Sequence, residues 1–218
     1  MISSRETNSR FAGANALNDR LFFPLALLVA LAMVGGAMMV GRGKPMCGPV
    51  GGANGPADYS KVLVTGTDLC RMVGAKGYKL STIDPEIEPN ILTITASKDA
   101  LRDEPEKNAH FILAADLETV YAGQKLRITV TARPAPRQGA QAFQVNYSTG
   151  KAGQSGWQTF DLKPDWQEYR FDYHVPLKLL EDSTAYDYFS IRPVVPEKSR
   201  ALEIQRVEFR RLGKWGDR

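Results

Sequence analysis

The stretch AFQVNYSTGKAGQSGWQTFDLKPDWQEYRFDYHVP, residues 142–176, decides the fold of this chain. Apolar and polar side chains alternate over residues 143–148 and again over residues 169–175. Alternation of this kind is typical of β-strands that bury one face. The turns STGKAGQSG and LKPD, which are rich in Gly, Ser, Pro and Asp, separate the alternating runs. Short strands joined by turns are therefore expected here, and they indicate an antiparallel sheet.

The same alternation recurs along the chain from Tyr59 onward. The other strand-like runs are residues 78–83 and 91–94 around the turn DPEIEPN, and residues 110–115, 126–131, 186–194 and 202–209. In the last run Leu202 and Ile204 occupy even-numbered positions, whereas Val207 and Phe209 occupy odd-numbered ones. One extra residue between the two pairs would let all four face the same side of the strand, which predicts a β-bulge. We find no convincing amphipathic helix, only a brief helical turn at residues 177–182. About eight or nine short strands predict an all-β, antiparallel β-sandwich.

The composition is that of a folded protein, with 43% hydrophobic and 24% charged residues. Twenty-eight Lys and Arg against 24 Asp and Glu give a net charge of +4, spread along the chain. This modest excess argues against a nucleic-acid partner. His110 and His174 are the only histidines, so a three-histidine zinc site is excluded. The two cysteines exclude a disulfide-dense scaffold and a four-cysteine zinc site.

Residues 21–40, LFFPLALLVALAMVGGAMMV, form the longest apolar stretch of the chain and carry no charge. As a helix the stretch spans roughly 30 Å, the thickness of a bilayer core. A cleaved signal peptide is the alternative, with Gly35-x-Ala37 as its cleavage pattern, but the apolar stretch is long and begins far from the amino terminus. We predict an uncleaved, single-pass signal anchor.

The anchor divides the chain into four segments. Residues 1–20 are expected to be a disordered cytoplasmic tail, residues 41–58 a Gly- and Pro-rich stalk, and residues 59–218 the β-sandwich domain. Cys47 and Cys70 are a candidate disulfide, which would persist only in an oxidising compartment; two unrelated thiols are the alternative. With the bridge, the domain lies outside the membrane and the amino terminus inside.

The domain resembles a known group of proteins. The resemblance rests on four motifs: Trp157-x-x-Phe160, Trp166-x-x-Tyr169-x-Phe171-x-Tyr173-x-Val175-Pro176, the run YDYFSIRPVVP, and a closing Ile204-x-x-Val207-x-Phe209. In this order they are similar to the carbohydrate-binding-module and galactose-binding-like jelly-roll domains. The resemblance covers about residues 77–212 and concerns pattern and architecture rather than a ligand motif.

The resemblance implies a jelly-roll β-sandwich that binds a glycan and, in many members, carries a structural calcium. It also implies a bacterial envelope setting, because proteins of exopolysaccharide systems contain such domains. We therefore expect a bacterial inner-membrane protein with its carboxy-terminal domain in the periplasm. Fold analogy alone does not establish a function.

Sugar binding needs aromatic faces for the apolar side of the ring and planar polar groups for the hydroxyls. The candidate ligand-binding residues are Trp157, Tyr188, Arg170, Arg192, Asn146 and Arg127. If their strands are neighbours, one sheet presents a polar surface that suits an acidic or hydroxylated glycan, since guanidinium groups recognise carboxylates bidentately. The alternatives are tryptophans that cap the sandwich ends and a solvated sheet face with cross-strand charge pairs.

No motif supports a metal site or catalysis. The carboxylates available for calcium are Asp116, Glu118, Asp172 and Glu208, and they lack a calcium-loop spacing. Asp161 and Glu168 are the pair that a glycoside hydrolase would need, but any two carboxylates can be nominated in this way. We expect no cofactor, no metal and no enzymatic activity.

Three functional hypotheses follow. The first is a membrane-anchored periplasmic or extracellular module that binds an envelope or secreted polysaccharide without transforming it. The second is a structural accessory subunit that docks on a partner membrane protein complex. The weakest is a jelly-roll glycoside hydrolase.

Overall fold

The computed structural model describes residues 23–33, 47–52, 58–82, 90–177 and 186–214. The chain divides into two compact units, Met1–Met46 and Cys47–Arg218. In the first unit residues 23–33 form helix α1, and the rest of the predicted anchor lies outside the described residues. Within the described ranges, no helix is both long and apolar enough to span a membrane.

The second unit is a β-sandwich of two antiparallel sheets, as the sequence predicts. Its elements are β1 (Lys61–Thr65), β2 (Met72–Val73), β3 (Tyr78–Thr82), β4 (Leu92–Ser97), β5 (His110–Leu113), α2 (Ala115–Tyr121), β6 (Gln124–Pro134), β7 (Ala142–Ser148), β8 (Gln158–Asp161), β9 (Gln167–His174), β10 (Asp187–Pro193) and β11 (Ser199–Lys214). Sheet I has the order β2-β5-β10-β7-β8. Sheet II has the order β3-β4-β11-β6-β9, with β1 also paired to β11. From β4 to β11 the chain crosses repeatedly between the sheets in the strand order of a jelly roll.

Aromatic and aliphatic side chains from the inner faces of both sheets fill the space between them. Phe189 of sheet I meets Phe209 of sheet II edge to face, with ring centroids 5.3 Å apart. Phe143 and Tyr169 form a second edge-to-face pair between the sheets, at 5.0 Å. Such pairs are favourable beyond the area they bury. The alternation seen in the sequence therefore supplies one inward-facing side chain at every second position.

Strand β11 is the central strand of sheet II. It pairs with β6 on one side and with β4 and then β1 on the other. A register shift between Ile204 and Arg206 interrupts its pairing with β6. The predicted β-bulge is therefore confirmed, and it lets Leu202 and Val207 both face the core although they differ in phase.

The structure also contains elements that the sequence analysis missed. Helix α2 corrects the expectation that the domain has no helix: Leu117 and Tyr121, four residues apart, are its buried face. With only seven residues it is too short to show a helical period. Strands β1 and β2 were likewise not predicted. The brief helical turn predicted at residues 177–182 falls almost wholly outside the described residues.

Residues 47–52, assigned to the stalk by the sequence analysis, pack onto the sandwich. Val50 is buried, and its backbone bonds to Ile112 and Ala114 beside β5. Asp116 of α2 accepts hydrogen bonds from the Gly52 N–H at 2.9 Å and the Tyr59 hydroxyl at 2.8 Å. Burial alone raises the pKa of Asp116, but these hydrogen bonds outweigh it and hold the pKa below its usual value.

Cys47 and Cys70 form a disulfide, with their Cα atoms 5.6 Å apart. The bond ties the start of the domain to the turn that follows β1. Because 23 residues separate the two cysteines, the bond removes loop entropy from the unfolded chain.

We predict that the double substitution Cys47→Ser/Cys70→Ser lowers the free energy of unfolding by about 3 kcal/mol. For a domain of this size the melting temperature should fall by roughly 6–12 °C. Thermal and urea unfolding of the full chain measure both quantities. Reductant should lower the stability of the wild type and leave the double variant unchanged; equal stability of the wild type and the variant would contradict the prediction.

Candidate functional site

The six candidate ligand residues lie on two different sheets. Arg127 on β6 and Arg170 on β9 face outward from sheet II. Asn146, Tyr188 and Arg192 belong to strands of sheet I, and Trp157 lies directly before β8 of the same sheet. The expectation of one common surface does not hold, because the jelly roll places β6 and β9 in one sheet and β7 and β10 in the other.

A connection between the sheets crosses the outer face of sheet I. We call residues 101–108 the strap; they lie between β4 of sheet II and β5 of sheet I. The Ser190 hydroxyl donates to the Pro105 carbonyl at 2.8 Å. The Trp157 indole N–H donates to the Asp103 carbonyl at 3.0 Å. Both bonds run from sheet I to the strap and hold it down.

Asn108 closes the strap on itself. Its side-chain amide is fully buried and donates to the carbonyls of Arg102 and Glu104, at 2.9 and 2.7 Å. Its side-chain oxygen accepts from the Arg102 N–H at 3.1 Å and from the Tyr78 hydroxyl at 2.8 Å. All these groups find partners inside the loop or on β3, so the buried polar groups of Asn108 are satisfied on both sides of the short 3-10 helix Pro105–Lys107.

Arg192 clamps the strap to sheet I. Its guanidinium lies over the ring of Trp157, 3.6 Å from the centroid. It donates to the Gln144 side chain at 2.9 Å and to the Arg102 carbonyl. Arg192 is 8% exposed, and burial lowers the pKa of its guanidinium. The guanidinium and one face of Trp157 are therefore engaged within the protein.

Asn146 is also buried and shapes the loop between β7 and β8. Its amide donates to the Gln154 side chain at 3.0 Å, and its oxygen accepts from the Ser155 hydroxyl at 3.4 Å. The Ser155 hydroxyl oxygen in turn accepts from the Tyr147 N–H at 2.9 Å. Asn146 thus positions Gln154 and the neighbouring loop residues.

An open groove of about 480 Å³ lies between the strap and the β7–β8 loop. Tyr188, half-buried on β10, contributes to its lining. The groove is lined by Asp103, Glu104, Pro105, Glu106, Ser148, Gly150, Lys151, Gln154 and Tyr188. His110 packs edge to face against the Tyr188 ring at 5.2 Å, and its Nδ1 lies 2.8 Å from the Asn108 carbonyl. The strap and the tyrosine are thus connected through His110.

The groove is acidic. Three carboxylates and the single ammonium of Lys151 line it, a net charge of −2. Glu104 pairs with Lys107 at 2.8 Å, and this hydrogen bond lowers the pKa of the Glu104 carboxyl, which is ionised at neutral pH. Carboxylates accept hydrogen bonds and do not donate them when ionised. The groove therefore offers acceptors to a ligand rich in hydroxyl groups and repels an anionic one.

The sequence analysis missed most of this groove. Of its candidates, only Tyr188 lines the groove, whereas Arg192, Trp157 and Asn146 support the walls. The missed segments are the charged strap RDEPEKN at residues 102–108 and the Gly-rich loop STGKAGQSG at residues 148–156. Their composition marks loops, but nothing in it tells which sheet face a loop covers.

Two further expectations concern carboxylates. Asp161 ends β8 in sheet I and Glu168 lies on β9 in sheet II, so this pair does not share a cleft. Within the described ranges, no three His, Cys, Asp or Glu side chains converge to hold a metal ion. Of the four carboxylates considered for calcium, Asp172 and Glu208 instead form ion pairs on sheet II.

No family model and no curated protein matches the chain. Solved structures do resemble it. The tandem CBM22-1–CBM22-2 domain of Paenibacillus barcinonensis Xyn10C aligns at 11% identity and a TM-score of 0.49, over 72% of this chain and 48% of that one. The single CBM22-1 xylan-binding domain of the same protein aligns at 9% identity and a TM-score of 0.46, over 66% and 87%.

The C-terminal family 22 carbohydrate-binding module of Clostridium thermocellum Xyn10B aligns at 14% identity and a TM-score of 0.46, over 73% of this chain and 98% of that one. All three structures are carbohydrate-binding modules, the class that the sequence resembles.

We predict that Arg192→Ala lowers the free energy of unfolding by about 3 kcal/mol, because it removes a buried, stacked guanidinium together with its hydrogen bonds to the Gln144 side chain and the Arg102 carbonyl. Urea unfolding of the full chain measures the change. Arg170→Ala is the matched control: Arg170 is exposed and its ion pair among the described residues is with the partly exposed Glu168, so the urea midpoint should stay almost unchanged. Equal effects of the two substitutions would show that Arg192 does not clamp the strap.

Proposed function

We propose that the domain binds a neutral, hydroxyl-rich polysaccharide in the groove of sheet I and does not transform it. The observation that carries this proposal is an aromatic side chain, Tyr188, in a groove whose two walls present carboxylate, amide and hydroxyl groups. A sugar ring has apolar C–H groups that pack on an aromatic face. Its hydroxyl groups are satisfied by planar polar groups at the edges of that face.

The charge of the groove selects among glycans. With a net charge of −2, the walls repel a chain of uronic acids and accept hydrogen bonds from neutral sugars. The sequence-based expectation is an acidic or hydroxylated glycan on a surface that contains the arginines, and for this groove we propose the hydroxylated one. Arg192 is engaged by the strap, and Arg127 and Arg170 lie on the other sheet.

A rigid wall adds to the affinity of such a site. Asn108, Arg192 and Trp157 hold the strap in place before any ligand arrives. A ligand that meets an ordered groove does not have to compensate for the entropy of ordering a loop. The groove therefore suits a flexible polysaccharide, whose own ordering is the main entropic cost.

The proposal includes membrane anchoring in the bacterial envelope. Residues 21–40 would hold the protein in the inner membrane, with residues 1–20 in the cytoplasm and the sandwich in the periplasm. The length and apolar character of the segment support the anchor. The Cys47–Cys70 disulfide supports an oxidising compartment for the domain.

The features on which the two alternative functions were based are not found among the described residues. A docking subunit needs an exposed apolar patch, but the outer-facing side chains that we describe on β6, β7, β9 and β10 are largely polar or charged. The pair named for a hydrolase, Asp161 and Glu168, lies on different sheets. The groove of sheet I does hold three carboxylates, those of Asp103, Glu104 and Glu106, and we propose that they act as hydrogen-bond acceptors for the bound glycan.

We predict that Tyr188→Ala weakens binding of a neutral oligosaccharide about tenfold, the loss expected for one stacked sugar ring. Isothermal titration calorimetry of the full chain with hexasaccharides from xylan, glucan and mannan measures the affinity. Tyr188→Phe should retain most of it, because the aromatic face remains.

Tyr186→Ala is the matched control, since Tyr186 is 53% exposed, precedes β10 by one residue and does not line the groove. It should bind like the wild type. Wild-type affinity in Tyr188→Ala, or binding of none of the neutral hexasaccharides by the folded protein, would overturn the proposal.

A further inference from the structure

The outer face of sheet II carries a regular array of charged side chains. Strand register places its residues in three rows across β1, β11, β6 and β9. The rows are Lys61–Arg210–Arg127–Asp172, Leu63–Glu208–Thr129–Arg170 and Thr65–Arg206–Thr131–Glu168. Neighbouring side chains in such rows are close enough to interact directly.

A depression of about 220 Å³ lies within this array. We call it the arginine depression; it is lined by Arg127, Thr129, Glu168, Arg170, Arg206, Glu208 and Arg210. Thr129 is near the centre of the array, and its side chain is much shorter than those of its neighbours. The difference in length leaves space between four guanidinium groups.

Glu208 is the most heavily shared carboxylate of the array. It is 4% exposed and accepts hydrogen bonds from Arg206 at 2.6 Å and Arg210 at 2.8–3.0 Å, while the Lys61 ammonium lies 3.7 Å away. Burial raises the pKa of Glu208, but its hydrogen bond with Arg210 and the surrounding positive charges hold the pKa below its usual value. Three cations therefore share the one ionised carboxylate of Glu208.

The other two carboxylates are shared as well. Asp172 pairs with Arg127 at 2.8 Å and with Lys125 at 3.2 Å. Glu168 pairs with Arg170 and lies 3.8 Å from Arg206. Six cations thus face three carboxylates, a net charge of +3.

The guanidinium groups retain hydrogen-bonding capacity. Among the described residues, Arg170 bonds to Glu168 through one terminal nitrogen. Arg206 bonds to Glu208 through one terminal nitrogen, and its side chain is 37% exposed although its Nε is buried. A guanidinium has five N–H donors, arranged to meet a planar carboxylate with two of them.

We propose that the arginine depression is a second glycan site, which binds a carboxylate-bearing sugar residue of an acidic polysaccharide. The sugar carboxylate lies above Thr129 and accepts hydrogen bonds from Arg127, Arg170 or Arg206. The ring hydroxyls donate to Glu168 and Asp172, which are 38% and 28% exposed at the side chain. An acidic sugar thus matches both signs of charge on this face.

The exposed carboxylates argue against an anionic membrane surface as the occupant. Glu168 and Asp172 lie among the arginines, so a dense layer of lipid phosphates would be pressed against negative charges. Lipid phosphate groups do not provide a hydroxyl donor for each of these carboxylates. Every uronic acid residue, in contrast, carries hydroxyl groups beside its carboxylate.

The second site is independent of the groove of sheet I. The two lie on opposite outer faces of the sandwich, and their lining residues differ in net charge, +2 for the depression against −2 for the groove. The groove is therefore expected to repel an acidic chain, whereas a neutral chain gains no charge attraction from the depression. A domain with both sites would hold a neutral and an acidic polysaccharide at the same time.

Titration of the full chain with hexagalacturonate tests this proposal. We expect saturable binding that weakens as NaCl is raised, and a loss of tenfold or more in Arg127→Gln/Arg170→Gln. Lys163→Gln, which changes an exposed cation in the β8–β9 turn, should bind like the wild type. Tyr188→Ala should also bind hexagalacturonate normally, which separates this site from the proposed groove.

Three further ligands, tested in the same way, identify the chemical group that the depression recognises. The methyl ester of hexagalacturonate should bind at least tenfold more weakly, because esterification removes the negative charge. Inorganic phosphate and vesicles containing phosphatidylglycerol should compete poorly. Equal binding of the ester, equal binding by Arg127→Gln/Arg170→Gln, tighter binding to vesicles or no binding at all would each overturn the proposal.

Discussion

The contact between Arg192 and Trp157 beneath the strap determines how sheet I meets the solvent. Without a strap, the outer face of β5, β10 and β7 would be a plain sheet surface. The buried guanidinium stacks on the indole, and both groups donate hydrogen bonds to strap carbonyls. These contacts fix the strap against the sheet. Asn108 satisfies the inner polar groups of the same loop. The groove is the space left between this fixed loop and the β7–β8 connection.

The two sheets present opposite electrostatics to the solvent. The whole chain carries a net charge of only +4, which gives no sign of an anionic groove on one face and a cationic depression on the other. Since the Debye length is about 8 Å at physiological ionic strength, each face acts on its ligand almost independently of the other. The negative charge on one face of the sandwich and the positive charge on the other allow the domain to bind a neutral ligand on the first face and an acidic ligand on the second. Both proposals are based on this difference in charge.

Much of the fold is predictable from the sequence because alternation fixes which side chains face the core. The residues of β7, β9 and β11 show it clearly, and the phase change between Ile204 and Val207 even locates the bulge. Alternation does not say which sheet a strand joins. Arg127 and Arg192 both point outward, yet on opposite faces, because β6 belongs to sheet II and β10 to sheet I.

The site was harder to predict for a related reason. Its walls are loops, and the groove depends on where the strap lies rather than on any period in residues 101–108. Trp157 and Arg192 have the composition of a sugar-binding pair, but their contact with the strap makes them supports. Val50 reached the core from a Gly- and Pro-rich segment that composition assigned to a stalk, because the disulfide and Asp116 fix that segment to the sandwich.

Hydrogen–deuterium exchange of the full chain, with and without a saturating neutral hexasaccharide, tests the central claim most directly. We expect slower exchange in residues 103–106 and 148–154, the two walls of the groove, and unchanged exchange on the outer face of sheet II. Protection confined to β6, β9 and β11, or to neither face despite demonstrated binding, would contradict a polysaccharide site beneath the strap.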